Sequence, residues 1–324
     1  AAVCGSSVAT ALTIGKVTIP QMRKYGYSDA LSTASVAAGG TLGALIPPSV
    51  IMVIYGIATE THIGKLFAAG IIPGAIAIFG YFLAIQWTTW RDPQAGAPAA
   101  PESRAEKLDA YKRVGPIVVL FGAVLGGIYS GLFTATEAAG IGAFGAFLFA
   151  WRRGNLNFAT LHRILMDTLE TSAAMFALIL GALVFSEFIN LTGADRQIVS
   201  FVREGGFSPA LIILIIIVIY IILGCLLESI SMMLLTLPIF FPIVVELGYD
   251  PVWFGILVVM LVEIGLITPP LGVNLFIIKA VVPDVQLMTT IRGVLPFIIS
   301  DLMRIAIIVI FPIIVLFLPN LLFN

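Results

Sequence analysis

Twice in this 324-residue chain a long apolar stretch is cut by a double proline, and the two cuts have matching surroundings. Gly26-Tyr27 precedes Pro47-Pro48 by 21 residues, and Gly248-Tyr249 precedes Pro269-Pro270 by the same 21. At a fixed offset of 222, Ser7, Pro20, Gly26, Tyr27, Val36, Gly43, Pro47 and Pro48 recur as Ser229, Pro242, Gly248, Tyr249, Val258, Gly265, Pro269 and Pro270. With one residue of drift, Gly70 and Pro73 recur as Gly293 and Pro296. A double proline removes two backbone donors and crowds the carbonyls one turn upstream, so a helix must break there. Broken backbone at membrane depth is tolerated only inside protein or beside a water-filled cavity. Matched breaks in two halves of a membrane chain point to the binding site of a secondary transporter.

The membrane setting follows from composition. The chain is 60% hydrophobic and 11% charged, with mean hydropathy +1.09, against about 25% charged in soluble domains. It reads as an all-α polytopic membrane protein. No basic run or aromatic-basic face offers a nucleic-acid surface. Cys4 and Cys225 are isolated in apolar surroundings and read as packed small residues rather than a disulfide or metal pair. His62 and His162 lack metal-ligand spacing to any other ligand. There is no nucleotide-binding loop, His-Glu-x-x-His or nucleophile elbow, so neither an enzyme nor a cofactor is expected. The chain opens in mid-pattern, Ala1-Ala2-Val3-Cys4, without an initiator Met, and is expected to be part of a longer protein.

Apolar stretches of about 20 residues place spans over 30–58 (interrupted at 46–48), 65–87, 114–133, 135–151, 171–192, 209–227, 251–278 (interrupted at 268–270) and 298–319. Segments 8–22 and 230–245 are short and follow small polar clusters, Gly5-Ser6-Ser7 and Glu228-Ser229-Ile230-Ser231. Each fits the return arm of a re-entrant hairpin. Segment 155–170 mixes charges with Leu161, Ile164, Leu165 and Leu169, and reads either as an interfacial amphipathic helix or as a polar extension of the next span. The expected organisation is a first repeat over 1–87, a Pro/Ala-rich cytoplasmic linker over 88–113, connecting spans over 114–208 and a second repeat over 209–324. Lys and Arg mark cytoplasmic loops: Arg23-Lys24 in the first Gly-Tyr loop, Arg91 to Arg113 in the linker, and Arg152-Arg153 with Arg163. The second Gly-Tyr loop holds Glu246 and Asp250 and no base, and counts to the outside. The repeats are therefore expected to be inverted.

Around each break the spans are unusually small and polar, from Gly39 to Ser49 and from Glu263 to Asn274. Unwound backbone offers carbonyls to a hard cation such as Na⁺, and the half-helix after each break offers N–H groups and a positive dipole end to an anion. Glu228 and Glu263 lie within apolar runs, where an ionisable group costs on the order of 3 kcal/mol on insertion scales and is a functional candidate by default. Glu228 takes the place of Ser6 in the other repeat, and Glu263 that of Thr41. The plainer reading of either is a helix-end carboxylate reaching water, and it is the favoured one for Glu137. Asp301 and Arg304, three apart, read as a mutually neutralising pair.

Gly5-Ser6-Ser7, Gly39-Gly40-Thr41-Leu42-Gly43 with Ile46-Pro47-Pro48-Ser49, Gly64-Lys65-Leu66-Phe67, Gly131 to Ala138 and Glu263-Ile264-Gly265-Leu266 with Pro269-Pro270, Gly272 and Asn274-Leu275 closely resemble the large membrane subunit of tripartite ATP-independent periplasmic (TRAP) transporters. That subunit is longer at its N-terminus, so the entering arm of the first hairpin is expected to be missing here. The resemblance implies an ion-transporter-like elevator fold with two re-entrant hairpins and two broken transmembrane helices in the bacterial inner membrane. It also implies Na⁺-coupled uptake of an organic anion such as a dicarboxylate or sialic acid, a periplasmic binding protein that delivers it, and a small four-helix membrane subunit, separate or fused. One cation site is expected around Ser6, Ser7, Gly43 and Ile46, and the other around Ser229, Ser231, Gly265 and Thr268. Substrate is expected near Thr41, Pro48, Ser49, Glu263, Pro270 and Asn274, with Glu228 a further intramembrane acid. A proton-coupled carrier of the same architecture, with Glu228 or Glu263 titrating, is the alternative.

Overall fold

The computed structural model describes residues 5–96, 104–154, 156–193, 197–198, 200 and 204–323, all helix and connecting turn. Cys4 and the end of the Pro/Ala-rich stretch lie outside them. Among the described residues, five helical segments are long and apolar enough to cross a membrane: Asp29–Ala58, Ile63–Arg91, Phe158–Thr192, Ser229–Glu246 and Leu287–Ile310. The chain forms two compact units, residues 1–99 with 189–324, and residues 100–188.

In the first unit the sequence repeat is a repeat of local geometry. Helix α1 (Ser7–Lys24) ends at Gly26 with φ +81, and the Tyr27 N–H reaches back to the Met22 carbonyl at 3.0 Å. At the equivalent place α9 (Ser229–Glu246) ends at Gly248 with φ +82, and the Tyr249 N–H reaches the Val244 carbonyl at 3.2 Å. A left-handed C′ residue is needed for this six-to-one closure, and glycine adopts it without steric cost. The next helix then starts on a polar cap. Ser28 accepts the Leu31 N–H before α2 (Asp29–Leu45), and Asp250 accepts the Val252 and Trp253 N–H groups before α10 (Pro251–Ile267).

Both helices break where expected. α2 stops at Leu45 and α3 (Val50–Ala58) starts after Pro47-Pro48; α10 stops at Ile267 and α11 (Val273–Val281) starts after Pro269-Pro270. Both Pro–Pro bonds are cis. The two broken helices run antiparallel. Arg23 pairs with Asp29 at the start of α2 and with Asp284 beyond the end of α11, each at 2.7 Å. At the opposite end the Tyr55 hydroxyl, late in α3, donates to the Pro251 carbonyl at the start of α10 (2.7 Å). The hydrogen bonds from the Arg23 guanidinium hold the Asp284 carboxyl below the usual carboxylate range.

Helix α10 is the axis of this unit. It is apolar all round apart from Glu263, and a helix of that kind belongs in a core; every residue from Val252 to Ile267 is buried. α4 (Ile63–Arg91) and α12 (Leu287–Ile310) flank it with α2. Close approach depends on missing side chains. A Cβ on Gly293 would lie 2.4 Å from the Ala30 carbonyl oxygen, and one on Gly255 would lie 2.6 Å from the Tyr55 ring.

The second unit holds α5 (Arg104–Tyr129), α6 (Ala135–Arg152) and α7 (Phe158–Thr192) as far as residue 188. α5 and α6 pack through Gly145 against Leu120, while Phe144, Phe176 and Leu183 stay exposed. Glu137 closes a capping box with Thr134, which accounts for a carboxylate at the head of an apolar run.

Three spans differ from expectation. Residues 158–192 form one helix, so of the two readings of segment 155–170 the polar extension of the following span holds and the separate interfacial helix does not. The last span is not 298–319: α12 ends at Ile310 and α13 (Ile313–Phe323) follows, because Pro312 has no N–H to continue the ladder. The linker is shorter than 88–113, since α4 runs to Arg91 and α5 starts at Arg104. Its first turn is also anchored, with the Ala95 carbonyl accepting the Ser28 N–H at 3.0 Å. Helix α8 (Pro209–Gly224) ends at Gly224 rather than 227.

Antiparallel broken helices put the two Gly-Tyr turns at opposite ends of the unit. Single cysteines replacing Lys24 and Glu246, in a protein with Cys4 and Cys225 changed to Ser, should react with a membrane-impermeant maleimide from opposite sides of sealed vesicles. Labelling of both from one side would contradict the antiparallel arrangement.

Candidate functional site

The N-terminal tip of α1 rests on the first break. Gly5, at φ +58, accepts the Val50 N–H at 3.5 Å, and a Cβ there would lie 2.9 Å from the Pro48 carbonyl oxygen. Ser6 caps α1 by accepting the Ala9 N–H at 3.4 Å. The buried Ser7 hydroxyl donates to the Thr41 carbonyl across the interface at 3.4 Å. Gly43 is buried and Ile46 half-buried, its N–H bonded to the Leu42 carbonyl. Ser49 caps α3, accepting the Met52 N–H at 3.3 Å while its hydroxyl donates to the Ala44 carbonyl. Pro48 is half-buried.

The second break has the same neighbours with different polar fittings. The last turn of α8 lies backbone to backbone on α10, where a Cβ on Gly265 would fall 2.7 Å from both C and O of Gly224. Glu228 is exposed and caps α9, accepting the Ile230 and Ser231 N–H groups at 3.0 and 3.1 Å and the Ser231 hydroxyl at 3.3 Å. Ser6 and Glu228, equivalent in the repeat, are thus equivalent as caps. Ser229 is buried. Thr268, half-buried, donates to the Ile264 carbonyl at 2.6 Å. Pro270 is exposed. Gly272 begins α11 at φ +44 without any side-chain cap, so the first N–H groups of this half-helix are not closed by a side chain as Ser49 closes those of α3.

Two further contacts, nearer the breaks, tie the halves together. Asn274 is fully buried and donates from Nδ2 to the Ala37 carbonyl of α2 at 3.1 Å, leaving Oδ1 without a protein partner. The other contact is a buried network. Arg304 Nη2 lies 2.8 Å from Glu263 Oε2 and 2.9 Å from Asp301 Oδ1; the Tyr81 hydroxyl donates to Asp301 Oδ2 at 2.8 Å and lies 3.2 Å from Thr41 Oγ1. Each charged side chain here is at most 1% exposed. The Asp301–Arg304 pair therefore has a third ionic member, Glu263, and a polar extension through Tyr81 to Thr41. The repeat held the signal: Thr41 corresponds to Glu263 at offset 222, and Tyr81 to Arg304 at 223. Each pair occupies the same place in its own half, and Asp301 joins them.

A polytopic helical protein with two antiparallel broken helices, each met by a glycine-bearing helix tip, has the frame of a membrane carrier rather than an enzyme. Comparison with known proteins gives the family. Residues 1–314 match the family described as "Tripartite ATP-independent periplasmic transporter, DctM component". The C4-dicarboxylate TRAP transporter large permease protein DctM of Pseudomonas aeruginosa is 38% identical over 323 residues, 99% of this chain and 74% of that protein. The sialic acid TRAP transporter large permease protein SiaM of Vibrio cholerae is 32% identical over 327 residues, 98% of this chain and 74% of its own. The isethionate TRAP transporter permease protein DctMQ of Oleidesulfovibrio alaskensis is 34% identical over 284 residues, 87% of this chain and 44% of its own. The chain belongs to the DctM family of TRAP transporter large permease subunits.

The two acids should respond differently to substitution. Glu228→Gln keeps an oxygen for the α9 cap and should leave fold and uptake within about twofold of the parent, a cap being worth about 1 kcal/mol. Arg304→Gln strands two buried carboxylates and should cost about 3–5 kcal/mol, seen as a lower thermal midpoint in detergent. Adding Glu263→Gln should recover part of that loss. No recovery would mean that Arg304 and Glu263 do not act as a pair.

Proposed function

We propose that this chain is the carrier-forming subunit of a Na⁺-coupled transporter that takes an organic anion across the bacterial inner membrane. On this reading the tips at Gly5-Ser6-Ser7 and Gly224–Ser231 are those of re-entrant hairpins within an inverted-repeat carrier, and the repeats move as an elevator. The observation that carries the reading is the pairing of a glycine-bearing tip with each break at matched positions of two antiparallel helices. Such places leave carbonyls for a cation and half-helix N–H groups for an anion.

The cation sites are proposed at Ser6, Ser7, Gly43 and Ile46 and at Ser229, Ser231, Gly265 and Thr268, largely through backbone oxygens. The Ser7, Ser231 and Thr268 hydroxyls donate to protein oxygens, so their lone pairs remain available to a cation. Substrate is proposed near Thr41, Pro48, Ser49, Pro270 and Asn274, where the uncapped start of α11 favours the second break. Glu263 acts at one remove, because Arg304 holds its carboxylate. The break segments 39–49 and 263–274 contain no Lys or Arg, so bound cations supply the positive charge a carboxylate needs. A periplasmic binding protein and a small membrane subunit complete the transporter, and the fused DctMQ relative shows one way of attaching the latter. C4-dicarboxylates are the first substrates to try, as the name of the Pseudomonas aeruginosa relative indicates.

Uptake by proteoliposomes containing the complete transporter tests this. A Na⁺ gradient should drive accumulation and a pH gradient alone should not; the reverse result would give the role to protons. Ser7→Ala with Thr268→Ala should raise the half-saturating Na⁺ concentration by roughly fivefold, the effect of about 1 kcal/mol. An unchanged Na⁺ dependence would remove these residues from the cation sites.

A further inference from the structure

A groove of about 1180 Å³ in the first unit lies away from both breaks, between α4 and α12. The helices cross tightly at Gly80, where a Cβ would fall 2.2 Å from Ser300 Oγ; both residues line the groove. Its body is apolar, with Leu83, Leu295, Ile299 and Met303 each about half exposed. At the end away from the crossing it is lined by Trp87, Trp90, Arg91 and Arg292. The Trp rings are 5.5 Å apart, and Trp is enriched at the headgroup level of a bilayer.

The mouth of the groove is positive. Neither Arg91 nor Arg292 has an ion-pair partner among the described residues. The one acid lining the groove is Asp92, whose Oδ1 accepts the Gln94 N–H at 3.1 Å. Two cations at headgroup level above an apolar cleft reproduce the polarity order of a single phospholipid, phosphate above acyl chain. A soluble anion would leave the apolar body unfilled, and a protein helix brings no particular negative charge to that depth. Basic pockets between transmembrane helices bind anionic headgroups, at about 1 kcal/mol per Lys or Arg.

We propose that this groove binds one anionic phospholipid of the phosphatidylglycerol type, its phosphate between Arg91 and Arg292 and an acyl chain along Leu83, Leu295, Ile299 and Met303. The site lies at the Arg23–Asp284 end of the unit, which the distribution of basic residues assigns to the cytoplasmic leaflet.

Tryptophan quenching tests the assignment on the complete transporter in nanodiscs of unbrominated phosphatidylcholine. The signal is the difference between the parent and its Trp87→Phe/Trp90→Phe variant, which isolates the two rings at the groove. Acyl-brominated phosphatidylglycerol should half-quench this signal at a mole fraction roughly twentyfold below that needed with brominated phosphatidylcholine. Arg91→Gln and Arg292→Gln should each reduce the preference by about fivefold and together abolish it. Both arginines are exposed, and an unchanged thermal midpoint would show that the double variant is folded. If that variant fails to fold, the two single variants carry the same comparison. Equal quenching by the two lipids would overturn the proposal and leave the groove to unselective lipid. A preference that survives both substitutions would overturn it as well, as would a groove that neither lipid reaches, which would give it to a protein helix.

Discussion

Backbone polar groups with no helical partner at membrane depth are the constraint around which the first unit is built. Hydrocarbon offers nothing to bond to, so each double proline obliges the rest of the unit to come to it. At the first break Ser49 serves both sides of the gap, taking the Met52 N–H and giving its own proton to the Ala44 carbonyl. The tip of α1 covers the outer face, and Gly70 of α4 closes another, since a Cβ there would sit 2.6 Å from the Leu45 carbonyl oxygen. At the second break Thr268 serves only the upstream side, through the Ile264 carbonyl, and Gly272 leaves the downstream turn uncapped. The two breaks are alike in path and unlike in how completely they are closed, and the less closed one is the better place for an anion.

The same asymmetry appears in charge. Equivalent positions carry Ser6 and Glu228 at the tips, Thr41 and Glu263 on the broken helices, and Tyr81 and Arg304 on the flanking helices. The first half is neutral at all three places and the second is ionic. A charged side chain in a sealed core is costly unless paired. Glu263 meets that condition through Arg304, and the pair is joined to the neutral half through Asp301 and Tyr81. Glu228 meets it by standing exposed at a helix start, where backbone N–H groups receive it. A duplicated frame thus kept its path while its polar content diverged.

The frame was legible in sequence because it is written in residues with backbone consequences. Gly26, Gly248 and the two Pro-Pro pairs permit few chain paths, and their equal spacing gave both the repeat and the breaks. Segments decided by packing were less legible. The charges in segment 155–170 leave two readings open, an interfacial helix or an extension of the next span; nothing from 158 on stops a helix, and α7 continues through. Pro312 lies inside an apolar run, so hydropathy alone carries the span through to 319, while the missing N–H ends α12 at Ile310. The buried network was missed for another reason: Asp301 and Arg304 satisfy a local i, i+3 reading, and nothing local announces Glu263 or Tyr81 as partners. The repeat offset, carried from glycines and prolines to polar residues, pairs Thr41 with Glu263 and Tyr81 with Arg304 and would have pointed there.

The network also bears on what the proposed anion can meet. Among the described residues Arg304 is the only guanidinium or ammonium group bonded within the buried polar network of the first unit, and its Nη2 faces two carboxylates at under 3 Å. Its single charge is already countered by two carboxylates in a sealed core, which leaves none over for an incoming carboxylate. Lys16 and Lys279 lie outside both break segments, and Lys279 donates to the Pro283 and Val285 carbonyls in the loop beyond α11. What remains near the breaks is weak and fixed: the uncapped N–H groups of α11 and its dipole end. Those donors orient an anion but cannot by themselves replace the hydration it loses. On the function proposed above, the missing positive charge arrives with the cations. Coupling between ion and substrate then follows from the charge inventory of the core, without a dedicated linkage between their sites.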